Sequence, residues 1–246
     1  MTHSYHDQLI RLTRDLAVPN RESLVQTRLV APSQPQHVKL FVDGNLDKRL
    51  DKLSRQVEFV AEQFEDFEPL IVEFIKAHPL AALSNGAQDG DRLLEWLLQE
   101  HEVSDEQLDY IVCQRARHAI EQLAHQRRLD YVRFHERSSL LDELLCQLAS
   151  DPLLRIYLNP IHTWARFVTP VLLEDAQPPA NVLFFASRGQ VATALLELEG
   201  QTLINELADF EPCTLAEWSS LTQLADRHQL EELCRDLAEM GLVCVG

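Results

Sequence analysis

Residues 181–246 carry strand-like and helix-like apolar periodicities in a fixed order, and this order limits the folds available to the chain. Residues 181–187 form a short β-prone run, the turn-forming Arg188-Gly189-Gln190 follows, and residues 191–198 suit a returning strand. Apolar residues then recur with helical spacing in three segments. The first covers residues 200–210, the second begins at the capping box of Thr214 and Glu217, and the third covers residues 229–240. Gly241 supplies a helix stop. The sequence therefore predicts a β-hairpin followed by three helices, which is a winged-helix-like order.

Leucine-rich runs with helical spacing dominate the rest of the chain. The patterns predict helices at residues 3–17 and 21–30, a long amphipathic helix capped at residues 43–45, a loop at 85–90 before another helix, and a capping box at Ser104 and Gln107. A β-prone stretch at residues 166–173 predicts one extra strand. We expect a mainly α protein with a small α+β module: a helical domain over residues 1–160, and a winged-helix-like domain over residues 161–246.

The charge balance argues against nucleic-acid binding. The 246 residues include 22 basic and 39 acidic side chains, which gives a net charge of −17. Residues 181–246 contain only three arginines and no lysine. Binding to phosphate backbones depends on clustered Lys and Arg, so the predicted winged module is not expected to read DNA.

The five cysteines are scattered, odd in number and without a C-x-x-C pair, which is typical of reduced thiols in a cytoplasmic protein. The first residues lack the basic and apolar segments of a signal peptide. No run of about 18 apolar residues is present. The sequence predicts a cytoplasmic protein without a membrane segment.

Motifs for nucleotide binding, serine hydrolysis and zinc-protease chemistry are missing from the sequence. His118 and His125 lie seven residues apart, or about 10 Å along one helix, so a single metal ion cannot bind both directly. Cys113, Glu121 and His135 are further potential ligands, and a helical metalloenzyme stays open as an alternative. A structural role for these histidines is favoured, and no metal or cofactor is predicted in this chain.

A basic segment stands out from the acidic sequence at residues 127–137. Its four arginines, Arg127, Arg128, Arg133 and Arg137, are accompanied by Asp130 and Glu136. One interpretation is a solvated helix face. The other is a docking patch for an acidic peptide or a partner protein, to which arginine offers a charged, bidentate hydrogen-bond donor.

Three short stretches resemble a known family. Leu-Glu-Leu-Glu-Gly at 196–200, Thr-Leu-Ile-Asn-Glu-Leu at 202–207 and Leu-Ala-Glu-Met-Gly-Leu-Val at 237–243 are similar to PqqD and the RiPP recognition elements, which hold leader peptides of ribosomally made precursors. The resemblance covers about a quarter of the chain. It implies that a peptide binds between the last strand and the third helix.

Carried onto this sequence, the resemblance implies a peptide-binding set on the returning strand and the last helix: Val191, Thr193, Leu195, Leu233, Arg235 and Leu237. Which face of the strand meets the peptide stays open at this point. The basic segment then becomes the expected docking site for a partner enzyme.

The combination of a helical domain and such an element resembles the partner subunits of DUF692-type multinuclear non-haem iron enzymes, as in methanobactin and 3-thiaglutamate biosynthesis. The resemblance implies a non-catalytic subunit of a heterodimer, which presents a precursor peptide while the partner enzyme carries the iron and the chemistry. An acidic winged-helix regulator that binds another protein is a further alternative.

Overall fold

The computed structural model describes residues 35–78, 86–138, 144–148, 150–173, 176–222 and 225–246, and the helices predicted at residues 3–17 and 21–30 lie outside these ranges. The chain divides into two compact units, residues 1–114 and 115–246. The division falls inside a helix, and residues 115–160 belong to the second unit, whereas the sequence predicted a domain boundary after residue 160. The prediction of a mainly helical chain with a small β part is confirmed.

The described part of the first unit is helical. It contains α1 (Pro35–Gln56), α2 (Glu58–Ala61), α3 (Glu68–Ala77), α4 (Gly86–Glu100) and the start of α5 (Asp105–Gln126). Their apolar faces form one core of buried side chains: Leu53, Val57, Val60, Phe67, Ile71, Phe74, Ile75, Leu93, Leu94, Trp96, Leu97 and Ile111. The predicted capping box is confirmed, because the Gln107 N–H donates to the Ser104 hydroxyl at 3.2 Å and the Ser104 N–H donates to the Gln107 side chain at 2.9 Å.

Two predicted boundaries in this unit are wrong. Helix α1 runs through residues 43–45, because the burial of Arg49 and Leu53 farther along the helix offsets the cost of a helical Gly44, which is about 1 kcal/mol. Helix α4 begins at Gly86 instead of after the expected loop. Its Asp89 carboxylate accepts two hydrogen bonds of 3.0 Å from the buried Arg49 guanidinium, and an acidic residue suits the first helical turn.

The second unit combines helices with two small sheets. After the end of α5 it contains α6 (Arg128–Ser138), β1 (Arg155–Leu158), β2 (His162–Phe167), β3 (Ala180–Ser187), β4 (Gln190–Leu195), α7 (Leu198–Phe210), β5 (Cys213–Thr214), α8 (Leu215–Leu221), α9 (Arg227–Glu239) and β6 (Val243–Val245). The strand predicted at 166–173 is displaced, since β2 ends at Phe167.

Both sheets are three-stranded and antiparallel. In one, β1 lies between β5 and β6, and in the other, β3 lies between β2 and β4. The core of the unit includes side chains from β1, β3, β4, α7, α8, α9 and β6, with Trp218 fully buried. Strands β1, β5 and β6 were not predicted as a sheet, because strands of two to four residues have little periodicity of their own.

Local sequence signals fix the hairpin and the helix ends. Arg188 and Gly189 have φ of 50° and 77°, which is the left-handed pair of a two-residue type I′ turn between β3 and β4. The capping box of Thr214 and Glu217 is confirmed, and a second one forms between Asp226 and Gln229. Gly241, with φ of 80°, ends α9 as predicted, and the Leu242 N–H donates to the Leu237 carbonyl at 2.8 Å.

Candidate functional site

Strand β4 is an edge of its sheet, because it pairs only with β3 among the described residues. The Ala186 N–H donates to Ile161 on the β2 side at 3.0 Å, so the backbone groups of Ala186 point away from β4. Ala186 and its partner Val191 therefore form a non-hydrogen-bonded pair of the antiparallel ladder. Hydrogen-bonded and non-hydrogen-bonded pairs alternate along the ladder, so Thr193 and Leu195 are also in non-hydrogen-bonded pairs. The N–H and C=O groups of these three predicted residues point to the open side of the sheet.

The two faces of β4 have different surroundings. Ala194 is buried in the core, and Ala192 and Leu196 pack against the same core. On the opposite face, Val191 is half-buried, Thr193 is exposed and Leu195 is 50% exposed. The structure thus assigns the faces that the sequence left open: 192 and 194 face the core, and 191, 193 and 195 face away from it.

The sequence of edge strand β4 lacks the residues that usually protect an edge against pairing with another strand. Its sequence, Gln-Val-Ala-Thr-Ala-Leu, contains no charge, proline or glycine. The other edge, β2, carries the exposed charge of Arg166. Natural edge strands are generally blunted by charges, proline or bulges. Of the two edges, β4 is therefore the one suited to accept a further strand.

The predicted residues of α9 lie apart from the exposed face of β4. Leu237 is fully buried in the core, and Leu233 is half-buried against it. Arg235 is on the outside of the helix, where it forms an ion pair with Glu231. Leu233 and Leu237 thus belong to the core contacted by Ala192 and Ala194, whereas Val191, Thr193 and Leu195 point to the other side of the sheet.

The four arginines of the predicted docking patch have different environments. The Arg127 guanidinium donates to the Pro160 carbonyl at 3.3 Å, and the Arg137 guanidinium lies 4.0 Å from the centre of the Tyr157 ring. Arg133 is 3.7 Å from Asp130 with its side chain 67% exposed, and Arg128 is exposed. Two arginines therefore contact the body of the unit, and Arg128 and Arg133 face solvent.

A cavity of about 330 Å³ lies beside α6 in the second unit. Tyr131, Phe134, His135 and Ser138 line it from α6, and the remaining walls come from the end of β3, its turn and the end of α9: Ala186, Ser187, Arg188, Ala238, Glu239 and Gly241. The Tyr131 hydroxyl donates to the Ala186 carbonyl at 3.3 Å, and His135 packs edge-on against the Tyr131 ring at 4.9 Å. No sequence signal pointed to this cavity, because its walls come from three distant segments.

The two histidines of the metalloenzyme alternative have different exposure, since His118 is buried and His125 is exposed. Within the ranges that the structure describes, no group of three or more His, Cys, Asp or Glu side chains is arranged to hold a metal ion. Four of the free cysteines are buried, and Cys146 is exposed.

No protein-family model, curated protein or solved structure matches this chain. None of the helices in the described residues is both long enough and apolar enough to span a bilayer.

Proposed function

We propose that this protein binds an extended peptide, which adds as a fourth strand to the open edge of β4. The observation that carries the proposal is the edge itself: six residues without charge, proline or glycine, with the backbone groups of Val191, Thr193 and Leu195 unpaired by β3. A peptide strand would satisfy these groups with main-chain hydrogen bonds, and its alternate side chains would reach both faces of the sheet.

Exposed apolar side chains next to this edge support the same proposal. Leu195 is 50% exposed, and Leu198, which begins α7, is 77% exposed. A bound strand would cover part of this apolar surface and would gain about 25 cal/mol for each Å² removed from water. Apolar side chains at alternate positions of the peptide therefore favour binding.

Charges at the two ends of β4 give the peptide a preferred polarity. Arg188 is exposed in the turn before the strand, and Glu197 and Glu199 are exposed after it. We expect the bound segment to place acidic residues near Arg188 and basic residues near the glutamates, because opposite charges at the rim of an interface set its orientation.

The order of elements extends the proposal to the peptide's class. Three antiparallel strands followed by α7, α8 and α9 are compatible with the winged-helix-like recognition element that the sequence resembles. On that resemblance the ligand is the leader of a ribosomally made precursor peptide. The protein would then act as the partner subunit that presents this peptide to a DUF692-type iron enzyme, with α6 contributing to the docking of that enzyme.

The test measures binding of fluorescently labelled peptides that tile each short open reading frame encoded beside the gene, where the proposal expects the precursor. We expect micromolar or tighter binding, and a loss of at least about tenfold in Thr193→Pro, because proline removes an N–H that would pair with the peptide. The substitution removes no β3–β4 hydrogen bond, so the variant should still fold.

A matched control is Arg166→Pro on edge strand β2, whose backbone groups also point away from β3. This variant should keep wild-type affinity. The proposal is wrong if both proline variants bind the peptide like the wild type, or if no tile binds even with the partner enzyme present.

A further inference from the structure

Helix α6 presents an exposed surface in which apolar and basic side chains alternate. Leu129 is 73% exposed and Val132 is 46% exposed, which is unusual for large apolar side chains side by side on a helix. Arg128 and Arg133 are exposed beside them. Residues three and four apart are neighbours on a helix, so Leu129 and Arg133 lie along one stripe, and Arg128 and Val132 share the next.

The stripe that carries Arg128 leads into the cavity beside α6. Four residues after Arg128 is Val132, and His135 follows one turn later at the cavity rim, next to Tyr131. The cavity volume of about 330 Å³ is at the lower end of the range for small-molecule pockets, which is about 300 to 1,000 Å³. It therefore suits one large side chain better than a cofactor.

The walls of the cavity indicate which kind of side chain fits. The rings of Tyr131 and Phe134 and the methyl groups of Ala186 and Ala238 form apolar walls. The polar groups of Tyr131 and Ser187 are already engaged, since they donate to the carbonyls of Ala186 and Met240. An apolar, preferably aromatic, side chain would contact these walls without leaving a buried polar group unpaired.

The charge of the surface around the cavity indicates which residues of the partner flank that side chain. The cavity and the basic segment at residues 127–137 together carry five arginines, because Arg188 at the cavity adds to the four of the segment, against the carboxylates of Asp130, Glu136 and Glu239. The chain as a whole has a net charge of −17. This surface is thus a local positive region on a negative protein, and it is complementary to acidic residues.

We propose that α6 and the adjacent cavity form an anchor site for a protein partner that inserts one large apolar side chain flanked by acidic residues. The proposal rests only on the partner-docking part of the proposed function; the anchor site includes Arg188 at the turn before β4 but no residue of β4 itself. It also changes the expected docking set: Arg128, Arg133 and Arg188 contact the partner, whereas Arg127 and Arg137 mainly hold α6 to its own unit.

Three capped tripeptides test this site on the full chain by nuclear magnetic resonance titration: N-acetyl-Glu-Phe-Glu-amide, N-acetyl-Glu-Ala-Glu-amide and N-acetyl-Lys-Phe-Lys-amide. We expect the first to bind weakly, with a Kd on the order of a millimolar. It should bind about tenfold tighter than the alanine peptide, because a buried phenylalanine ring accounts for most of the affinity. The lysine peptide should bind about fivefold more weakly at low salt, a difference that should shrink at high salt.

The backbone resonances of Ser138, Ala186 and Gly241 should shift with the first peptide, whereas those of Thr193 and Leu195 should not. Equal affinity for the phenylalanine and alanine peptides overturns the proposal, as does tighter binding of the lysine peptide. Concentration-dependent shifts at the same residues without peptide would also overturn it, since the occupant would then be a second copy of this chain.

A pair of variants separates the anchor site from the rest of the surface. Ser138→Phe places a ring in the cavity and should abolish the shifts caused by the phenylalanine peptide. Leu153→Phe adds the same ring at an exposed position outside α6 and the cavity and should leave them. If Ser138→Phe does not fold, the comparison of the three peptides on the wild-type chain decides the question alone. Neither variant should change precursor binding at β4, so a failure here is distinguishable from a failure of the proposed peptide function.

Discussion

The two sheets of the second unit each have three strands, but the residues of one lie in the core whereas the other has an exposed edge strand. In the β5–β1–β6 sheet, Ile156, Cys213, Val243 and Val245 are all in the core, and the edge strands have only two and three residues. In the β2–β3–β4 sheet, edge strand β4 has six residues, and Thr193 and Leu195 are exposed. Short, covered edges offer few free backbone groups, so the first sheet stabilises the unit and the second provides a surface for pairing.

The strongest test of this comparison is truncation of one side chain in each sheet. Ile156 is fully buried in the centre of β1, and Leu195 is half exposed on β4. We expect Ile156→Ala to lower the free energy of unfolding by about 2 to 5 kcal/mol and Leu195→Ala by less than about 1 kcal/mol. Urea unfolding followed by circular dichroism measures both. Similar losses would show that β4 is as much a part of the core as β1.

The next effect concerns the corner that joins the two sheets at Asn159. This residue is fully buried, and its side-chain amide donates to the carbonyls of Ala186 at 2.7 Å and Gly241 at 3.1 Å. The Oδ1 oxygen of the same side chain accepts from the Ile161 N–H at 2.9 Å. Asn159→Ala takes these partners from the Gly241 carbonyl and the Ile161 N–H, while the Ala186 carbonyl keeps the Tyr131 hydroxyl, and we expect a loss of about 2 to 3 kcal/mol in the same assay.

Asn205 offers a control of the same residue type for this corner. Its side chain is exposed and accepts a 3.0 Å hydrogen bond from the Trp164 indole. Water can replace such a bond, so Asn205→Ala should cost less than about 1 kcal/mol. A loss at Asn205 that equals the loss at Asn159 would contradict the role of the corner.

A smaller, pH-dependent effect is expected from Glu211, which accepts the Leu158 N–H of β1 at 2.5 Å. Burial raises the pKa of this carboxyl above its ordinary value of 4.5. Its contribution to stability is therefore fully present below that ordinary value and is lost as the pH rises through the raised pKa. Glu211→Gln removes this dependence, so the variant should gain stability relative to the wild type as the pH rises from the ordinary value of 4.5 through the raised pKa.

Thermal unfolding of the two proteins across this range is the measurement. A difference in stability that stays constant with pH would show that Glu211 titrates with the same pKa in the folded and unfolded chains. Glu239, which is exposed, provides a Glu→Gln control that should show no such trend.

The smallest effect involves no change in stability. Burial raises the pKa of Cys213 to about 11 and of Cys234 and Cys244 to about 12, so these core thiols stay protonated at neutral pH. Cys146 is exposed. Iodoacetamide should modify Cys146 in the native protein and the three core cysteines only after unfolding, as measured by mass spectrometry. Rapid labelling of Cys244 would show that the β5–β1–β6 sheet opens in solution.

Much of the second unit could be predicted from its sequence because its signals are local. Arg188-Gly189 fixes the turn, Thr214 and Glu217 begin α8, and Gly241 ends α9 through its left-handed φ. Each feature depends on residues within one turn of chain. The wrong boundaries at residues 43–45 and 86–90 arise from a contact between distant residues. Helices α1 and α4 are stabilised by the buried ion pair of Arg49 and Asp89, which are 40 residues apart.

The candidate site was predictable in part. The alternation of 191, 193 and 195 follows from strand periodicity, and these residues carry the open backbone groups of β4. Leu237 was placed in the same set, yet helical spacing alone does not show which residue of an apolar stripe reaches the surface. The cavity beside α6 and the role of Arg188 had no signal in the sequence, because only the packing of three segments brings their side chains together.

The sequence by itself determined the mainly helical class, the hairpin, the acidic charge and the single basic segment, all of which arise from composition or from neighbours along the chain. Tertiary structure decided the rest. It formed the short strands β1, β5 and β6, whose pairing is non-local, and it left β4 at an edge. It also bound Arg127 and Arg137 to their own unit while Arg128 and Arg133 stayed exposed, because the environment of a side chain depends on what packs against it.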